Sequence, residues 1–257
     1  MSGSDAKITG IVAALPAEAR CASEGQSHGE DGTQRLLVRV SGIGGERAAR
    51  AAQALLEAGA EALLCFGVAG ALDPALRCGD IVLATEVLTV RSGSPDSRGD
   101  SPALARFPTD GEWRAGLAER LAGLERLHLG SVLSSTELVS STQRKQQLFA
   151  QSGAIAVDME SGAVGRVALQ HKVPFMTLRV IADTAQDALP RVLHSALGSG
   201  TALPQGASFW WSLLSAPSGW PGLARLGRRY RRARAVLAQC GRAGLAWTLS
   251  AGTALST

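Results

Sequence analysis

The chain has 257 residues, 46% hydrophobic but only 4% aromatic, which allows one large α/β domain or two small ones with a core of Ala, Leu, Val and Ile. Its net charge of +4 is unevenly placed: all 22 acidic residues fall in the first 187 positions, whereas the remaining stretch holds eight arginines and no acid. No 18-residue apolar run argues for a spanning helix, the amino-terminal run has no secretory pattern, and four scattered cysteines without metal-ligand spacing read as reduced thiols of a cytoplasmic protein.

In chain order, 7–14 (KITGIVAA) and 35–40 (RLLVRV) read as strands, and 44–58 as a helix opening on glycines. A short apolar strand at 62–68 is ended by Ala69-Gly70, and a longer one at 81–90 follows the Gly79-Asp80 turn. Ser, Gly, Pro and Asp make 91–110 a loop. A helix at 112–123, a strand at 128–133 and a helix at 142–151 come next. The stretch 155–181 then reads as a βαβ-like unit, with a small-residue helix at 161–169 and an apolar strand at 173–181. From about 189 the pattern is helical only, and in 220–237 the apolar positions 223, 226, 230 and 237 share one face. The alternation predicts an α/β sheet covered on both faces, with 1–187 as main body and 188–257 as a helical extension.

The βαβ-like unit carries the most informative acids. Glu160, in Val157-Asp158-Met159-Glu160, and Asp183, in Val180-Ile181-Ala182-Asp183-Thr184, are expected at the carboxyl ends of neighbouring strands, where open α/β sheets place ligands. One carboxylate there can accept from sugar hydroxyls, while the other, carrying a proton, can assist a leaving group. Both could equally cap helices or end strands. The glycines of Ser41-Gly42-Ile43-Gly44-Gly45 offer backbone N–H groups to an anion, or simply form a tight turn. Glu18 and Arg20, just past the first strand, could hold a nucleophile and an anion, or be an ordinary pair on an exposed helix start.

The order of these blocks resembles the nucleoside phosphorylase and nucleosidase superfamily, which includes purine nucleoside phosphorylases and methylthioadenosine/S-adenosylhomocysteine nucleosidases. The resemblance rests on GIVAALPAEA at 10–19, SGIGGERAARAA at 41–52, FGVAGALDPALRCGDIVLATEV at 66–87 and AVDMESGAVGRVALQHKVPFMTLRVIADTA at 156–185. It implies a three-layer α/β/α sandwich around a twisted mixed sheet, and cleavage of the bond between a purine and ribose. By position it assigns Glu160 to the ribose 2′- and 3′-hydroxyls, Met159 to the underside of the sugar, and Asp183 to purine N7. Glu18 matches the acid that positions water in the hydrolytic members, and Arg179 a residue that supports the acidic pair. Leu138, Val139, Ala69 and Gly70 are expected to pack on the substrate, and Gly42, Gly44, Gly45 and Arg20 to hold inorganic phosphate as co-substrate. Val68 stands where phosphorylases often have Ser, and the aromatic base clamp common in the nucleosidases is missing.

The PAEAR turn, RVIADTA followed by ALP, and the arginine-rich end are most similar to the hopanoid-associated branch. That resemblance implies phosphorolysis of adenosylhopane to adenine and a phosphoribosyl hopane. Six arginines in 225–234, with Trp210, Trp211, Trp220 and Trp247 nearby, would hold such an enzyme at anionic lipid, each arginine contributing about 1 kcal/mol; a solvated helix face over core aromatics is the plainer alternative. A hydrolytic nucleosidase and a catalytically inactive membrane-associated binding module are the competing functions. No cofactor, metal or nucleic acid is expected, and a homo-oligomer is.

Overall fold

The computed structural model describes residues 7–24, 34–90, 104–189 and 220–247. Eight strands form one mixed sheet: β1 (Lys7–Ala13), β2 (Gln34–Val40), β3 (Ala62–Ala71), β4 (Ile81–Val90), β5 (Leu104–Pro108), β6 (Leu127–Ser134), β7 (Ala156–Asp158) and β8 (Phe175–Asp183). The described helices are α1 (Pro16–Ser23), α2 (Gly45–Glu57), α3 (Gly111–Leu121), α4 (Thr142–Ser152), α5 (Ser161–His171) and α6 (Trp220–Arg242).

Successive side chains of a strand face opposite sides, and the two faces fill separate cores. Val12, Leu63 and Val82 pack with Ala48, Ala52 and Leu55 of α2 and Val164, Val167 and Ala168 of α5. Their neighbours Ile11, Leu64 and Leu83 pack with Cys21 and Ala22 of α1, Trp113, Leu117 and Leu121 of α3, and Ala233, Val236, Leu237 and Cys240 of α6. The result is the expected α/β/α sandwich. Its helices approach closely because their buried stripes are small: a Cβ on Gly241 of α6 would stand 1.9 Å from the Cys21 carbonyl oxygen, and one on Gly162 of α5 would stand 2.2 Å from Thr89 Cγ2.

Three expectations change. The supposed loop at 91–110 contains β5, whose Val87↔Phe107 pairing adds an antiparallel edge to β4; a strand of five residues with Pro108 at its end has too little alternation to be read from sequence. β3 does not stop at Val68 but continues through the glycines to Ala71. The 155–183 stretch is not a parallel βαβ unit: β7 pairs with β3 antiparallel and β8 pairs with β3 parallel. Glu160 therefore follows β7 and Asp183 ends β8, strands that are not bonded to each other but share β3, where Gly70 is the register partner of both Val157 and Asp183.

In α6 the buried stripe runs through Ala233, Val236, Leu237 and Cys240, with Leu226 and Tyr230 half-buried, so two members of the expected face are flank rather than centre. Arg225, Arg228, Arg231, Arg232 and Arg234 are exposed. Trp247, counted among the tail aromatics, packs on the body: its backbone N–H donates to Thr9 Oγ1 at 3.0 Å and Lys7 Nζ lies 4.4 Å over its ring. Trp210 and Trp211 lie outside the described residues. Among the described residues no helix is long and apolar enough to cross a membrane.

The contact at Gly162 sets a test. Ala is about 1 kcal/mol better than Gly inside a helix, yet a methyl group there would drive into Thr89 and Ser134, so overpacking wins. Gly162→Ala is expected to lower stability by about 1–3 kcal/mol, read as a lower urea midpoint with unchanged slope.

Candidate active site

A pocket opens where β1, β3, β7 and β8 end, lined by Glu18, Val68, Ala69, Gly70, Leu138, Val139, Met159, Glu160, Arg179 and Asp183, with Ile43 and Leu189 at its sides. It thus gathers both strand-end acids, Glu18, and all the expected sugar- and base-packing residues. Walls of Leu, Val, Ile and Met around a few convergent carboxylates suit a small amphipathic ligand.

Glu160 is 6% exposed and stands at the N-cap of α5. The Gly44 N–H donates to its Oε1 at 2.9 Å and the Met159 N–H to its Oε2 at 3.3 Å. The glycine turn makes this possible, because Gly42 and Gly44 adopt φ of +81° and +106°, which a β-carbon would oppose. Gly44 is thereby engaged by a carboxylate. Of this turn only Ile43 lines the pocket, and Arg20 is exposed on α1. The expected phosphate set of Gly42, Gly44, Gly45 and Arg20 is not brought together around the pocket.

On the pocket wall lies Arg179 of β8, 1% exposed. Its Nε donates to Asp158 Oδ2 at 2.8 Å, its second terminal nitrogen sits 2.6 Å from the same oxygen and 3.8 Å from Glu160 Oε2, and that nitrogen also donates to Cys65 Sγ at 2.9 Å. Asp158 turns its other oxygen to the start of α5, accepting from the Ser161 hydroxyl at 2.8 Å and from the Ser161 and Glu160 N–H groups. One residue thus caps the helix and anchors the guanidinium.

Glu18 is 2% exposed, not on an open helix start. Its Oε2 accepts from the Leu15 N–H at 2.9 Å, closing the first turn of α1, and its Oε1 accepts from the Val68 N–H at 3.0 Å. A Cβ on Gly67 would lie 2.7 Å from an Arg179 nitrogen and 2.8 Å from Glu18 Oε1, so glycine is required for these groups to meet across β3. Asp183, 8% exposed, meets Lys145 of α4, a fully buried side chain that sequence reasoning missed. The available signal was its i,i+3 spacing with buried Leu148 in an otherwise polar helix.

Burial dominates the electrostatics. It raises Glu18 and Asp183 above the usual carboxylate range despite Arg179 near the first and Lys145 near the second. Burial, opposed by Arg179, brings Glu160 up to about 7. For Arg179 itself burial works against the charge, but Asp158, Cys65, Glu160 and Glu18 outweigh it and the guanidinium is held firmly protonated. Among the described residues no cluster of His, Cys, Asp and Glu is suited to a metal.

A family profile described as the phosphorylase superfamily matches residues 6–197. The chain is 30% identical over 161 residues to the aminodeoxyfutalosine nucleosidase of Helicobacter pylori, covering 60% of this chain and 70% of that one. It is 28% identical over 146 residues to the DeoD-type purine nucleoside phosphorylase of Streptococcus pyogenes, covering 53% and 57%. The fold is shared with the 5′-methylthioadenosine/S-adenosylhomocysteine nucleosidase structure from Helicobacter pylori, at TM-score 0.61 and 24% identity over 82% of this chain and 98% of that chain.

Two outcomes follow from this charge arrangement. Removing the guanidinium in Arg179→Met leaves buried carboxylates uncompensated, so a loss of about 3–5 kcal/mol is expected in chemical denaturation. A carboxyl raised in the folded state binds more protons there than in the unfolded chain, so its stabilisation is present below about 4.5 and lost as pH rises to about 7 for Glu160. Glu160→Gln is therefore expected to flatten the decline of melting temperature between pH 5 and 7.5.

Proposed function

The chain belongs to the phosphorylase superfamily, and from that premise we propose that its pocket cleaves the base–ribose bond of a 5′-substituted adenosine with water as the attacking group. The observation that carries this reading is Glu18, a buried carboxylate on the pocket wall with both oxygens anchored by backbone N–H groups. A base held above its usual range takes a proton from water more readily. Water oxygen bonds to C1′ as its proton passes to Glu18. The C1′–N9 electron pair leaves with the purine, which takes a proton at N7 from the Asp183 carboxyl. Glu160 accepts from the ribose 2′- and 3′-hydroxyls and, as an anion, stabilises the positive charge developing on the sugar. Met159 supports the ribose, Leu138 and Val139 pack on the base, and Ala69 and Gly70 leave room beside Asp183.

Charge favours water over phosphate. Glu18, Glu137, Asp158, Glu160 and Asp183 line the pocket with Arg179 as the one cation among its described lining residues, and that cation is already engaged by Asp158 and Glu160. A phosphate dianion near C1′ would meet like charges.

Phosphorolysis of adenosylhopane at a membrane surface is the second reading. It is supported by the exposed arginines of α6, which suit anionic headgroups, and by the apolar residues Ile43 and Leu189 beside the pocket.

Adenine release from 5′-substituted adenosines in phosphate-free buffer separates the two. Full-rate release supports water, whereas a rate proportional to added phosphate overturns it in favour of phosphorolysis. Parallel assays with vesicle-borne adenosylhopane report the lipid substrate. Asp183→Asn is expected to lower kcat by about 10²–10⁴-fold. With Glu160 required as an anion, kcat/KM should rise toward about pH 7; burial raises Asp183, so the alkaline fall that follows loss of its proton should lie above the ordinary carboxylate range.

A further inference from the structure

Lys145 has no part in the chemistry above, yet it is 0% exposed and its ammonium is fully engaged. Nζ meets Asp183 Oδ2, and it donates to the carbonyl oxygens of Thr184 at 2.7 Å and Asp187 at 3.0 Å. Three acceptors match the three N–H bonds of an ammonium, whereas a neutral amine offers two. Burying an ammonium costs several kcal/mol unless it is paired and hydrogen-bonded; a mere filler at this place on α4 would be apolar like Leu148. Lys145 does not itself line the pocket; it stands behind the Asp183 carboxyl, which does.

We infer that Lys145 is a positioning residue that directs the proton of Asp183 toward the departing base and stabilises the carboxylate left behind. This rests on the reading of Asp183 as the acid toward N7. With Oδ2 accepting from the ammonium, the carboxyl proton is confined to Oδ1, the oxygen left for the ligand. When that proton passes to N7 and the C1′–N9 pair leaves with the purine, Asp183 becomes a carboxylate beside a cation already in place. The ion pair is at full strength only once the proton has moved, so it stabilises the transition state more than the bound nucleoside. The two carbonyls fix Nζ, so no side-chain ordering is needed at that moment. Burial raises Asp183 and Lys145 opposes it, so an enzyme without the ammonium would hold a weaker acid. The other charged and titratable groups around Asp183 are Asp187, which follows β8, Arg229 of α6, which pairs with Asp187, and the Cys78 thiol before β4.

The test is Lys145→Met, close in length and without charge, assayed on two substrates with one 5′-substituted ribosyl group: the adenine nucleoside and the 4-nitrophenyl riboside, whose leaving group departs without a proton. Circular dichroism and melting temperature confirm folding. For the adenine nucleoside, kcat is expected to fall about 10²-fold with KM little changed, and the alkaline limb of kcat/KM to move to higher pH. The nitrophenyl riboside should be cleaved at near the wild-type rate. Equal losses on both substrates, or an alkaline limb that does not move, would reduce Lys145 to a structural support and overturn the inference. If wild type does not cleave the aryl riboside, the shift of the alkaline limb decides alone. Failure of wild type to release adenine at all would instead strike the proposed function.

Discussion

The guanidinium of Arg179, almost without access to water, stands among carboxylates from distant parts of the chain: Asp158 and Glu160 from the β7–α5 junction and Glu18 from α1. Coulomb energy at these separations grows as the local dielectric falls, so the group that is most costly to bury is also what makes burying the acids tolerable. Its own charge is secure against titration because the acids surround it. Burial draws Glu18, Asp183 and Glu160 upward, and it brings Glu160 to about 7, where a group can both take and release a proton. Structural and chemical roles are therefore one arrangement.

The sheet delivers that arrangement through one strand. β3 takes β7 on antiparallel terms and β8 on parallel terms, so two chain segments that run in opposite directions both reach the pocket beside Gly70. Glycines along β3 leave the room: Gly67 for Glu18 and Arg179, Gly70 for Asp183. The α2 glycine turn contributes in the same spirit, giving the Gly44 N–H to Glu160. A motif that looks like an anion cradle thus serves an anion supplied by the protein itself.

Helix α6 connects the basic end of the chain to this centre. Its small buried stripe lies against α1 and β8, its arginines face outward, and Arg229 pairs with Asp187, whose carbonyl accepts from Lys145. The described residues of α6 thereby share a core with α1, α3 and β8, and their exposed side chains are mostly arginines.

Period-two and period-3.6 patterns, glycine turns and the acid-bearing blocks made an α/β sheet covered on both faces, most element positions and the acids Glu18, Glu160 and Asp183 legible in sequence, because such signals are local; Met159, Arg179 and the three-layer sandwich came from the resemblance to the superfamily. Strand β5, the opposed directions of β7 and β8, the displacement of Arg20 from the pocket, the capture of Gly44 by Glu160 and the burial of Lys145 behind Asp183 were decided by tertiary structure alone. Each depends on a partner far away in the chain: β4 for β5, β3 for the strand directions, and residue 160 for Gly44. Register and desolvation are properties of such pairs, and no single segment contains them.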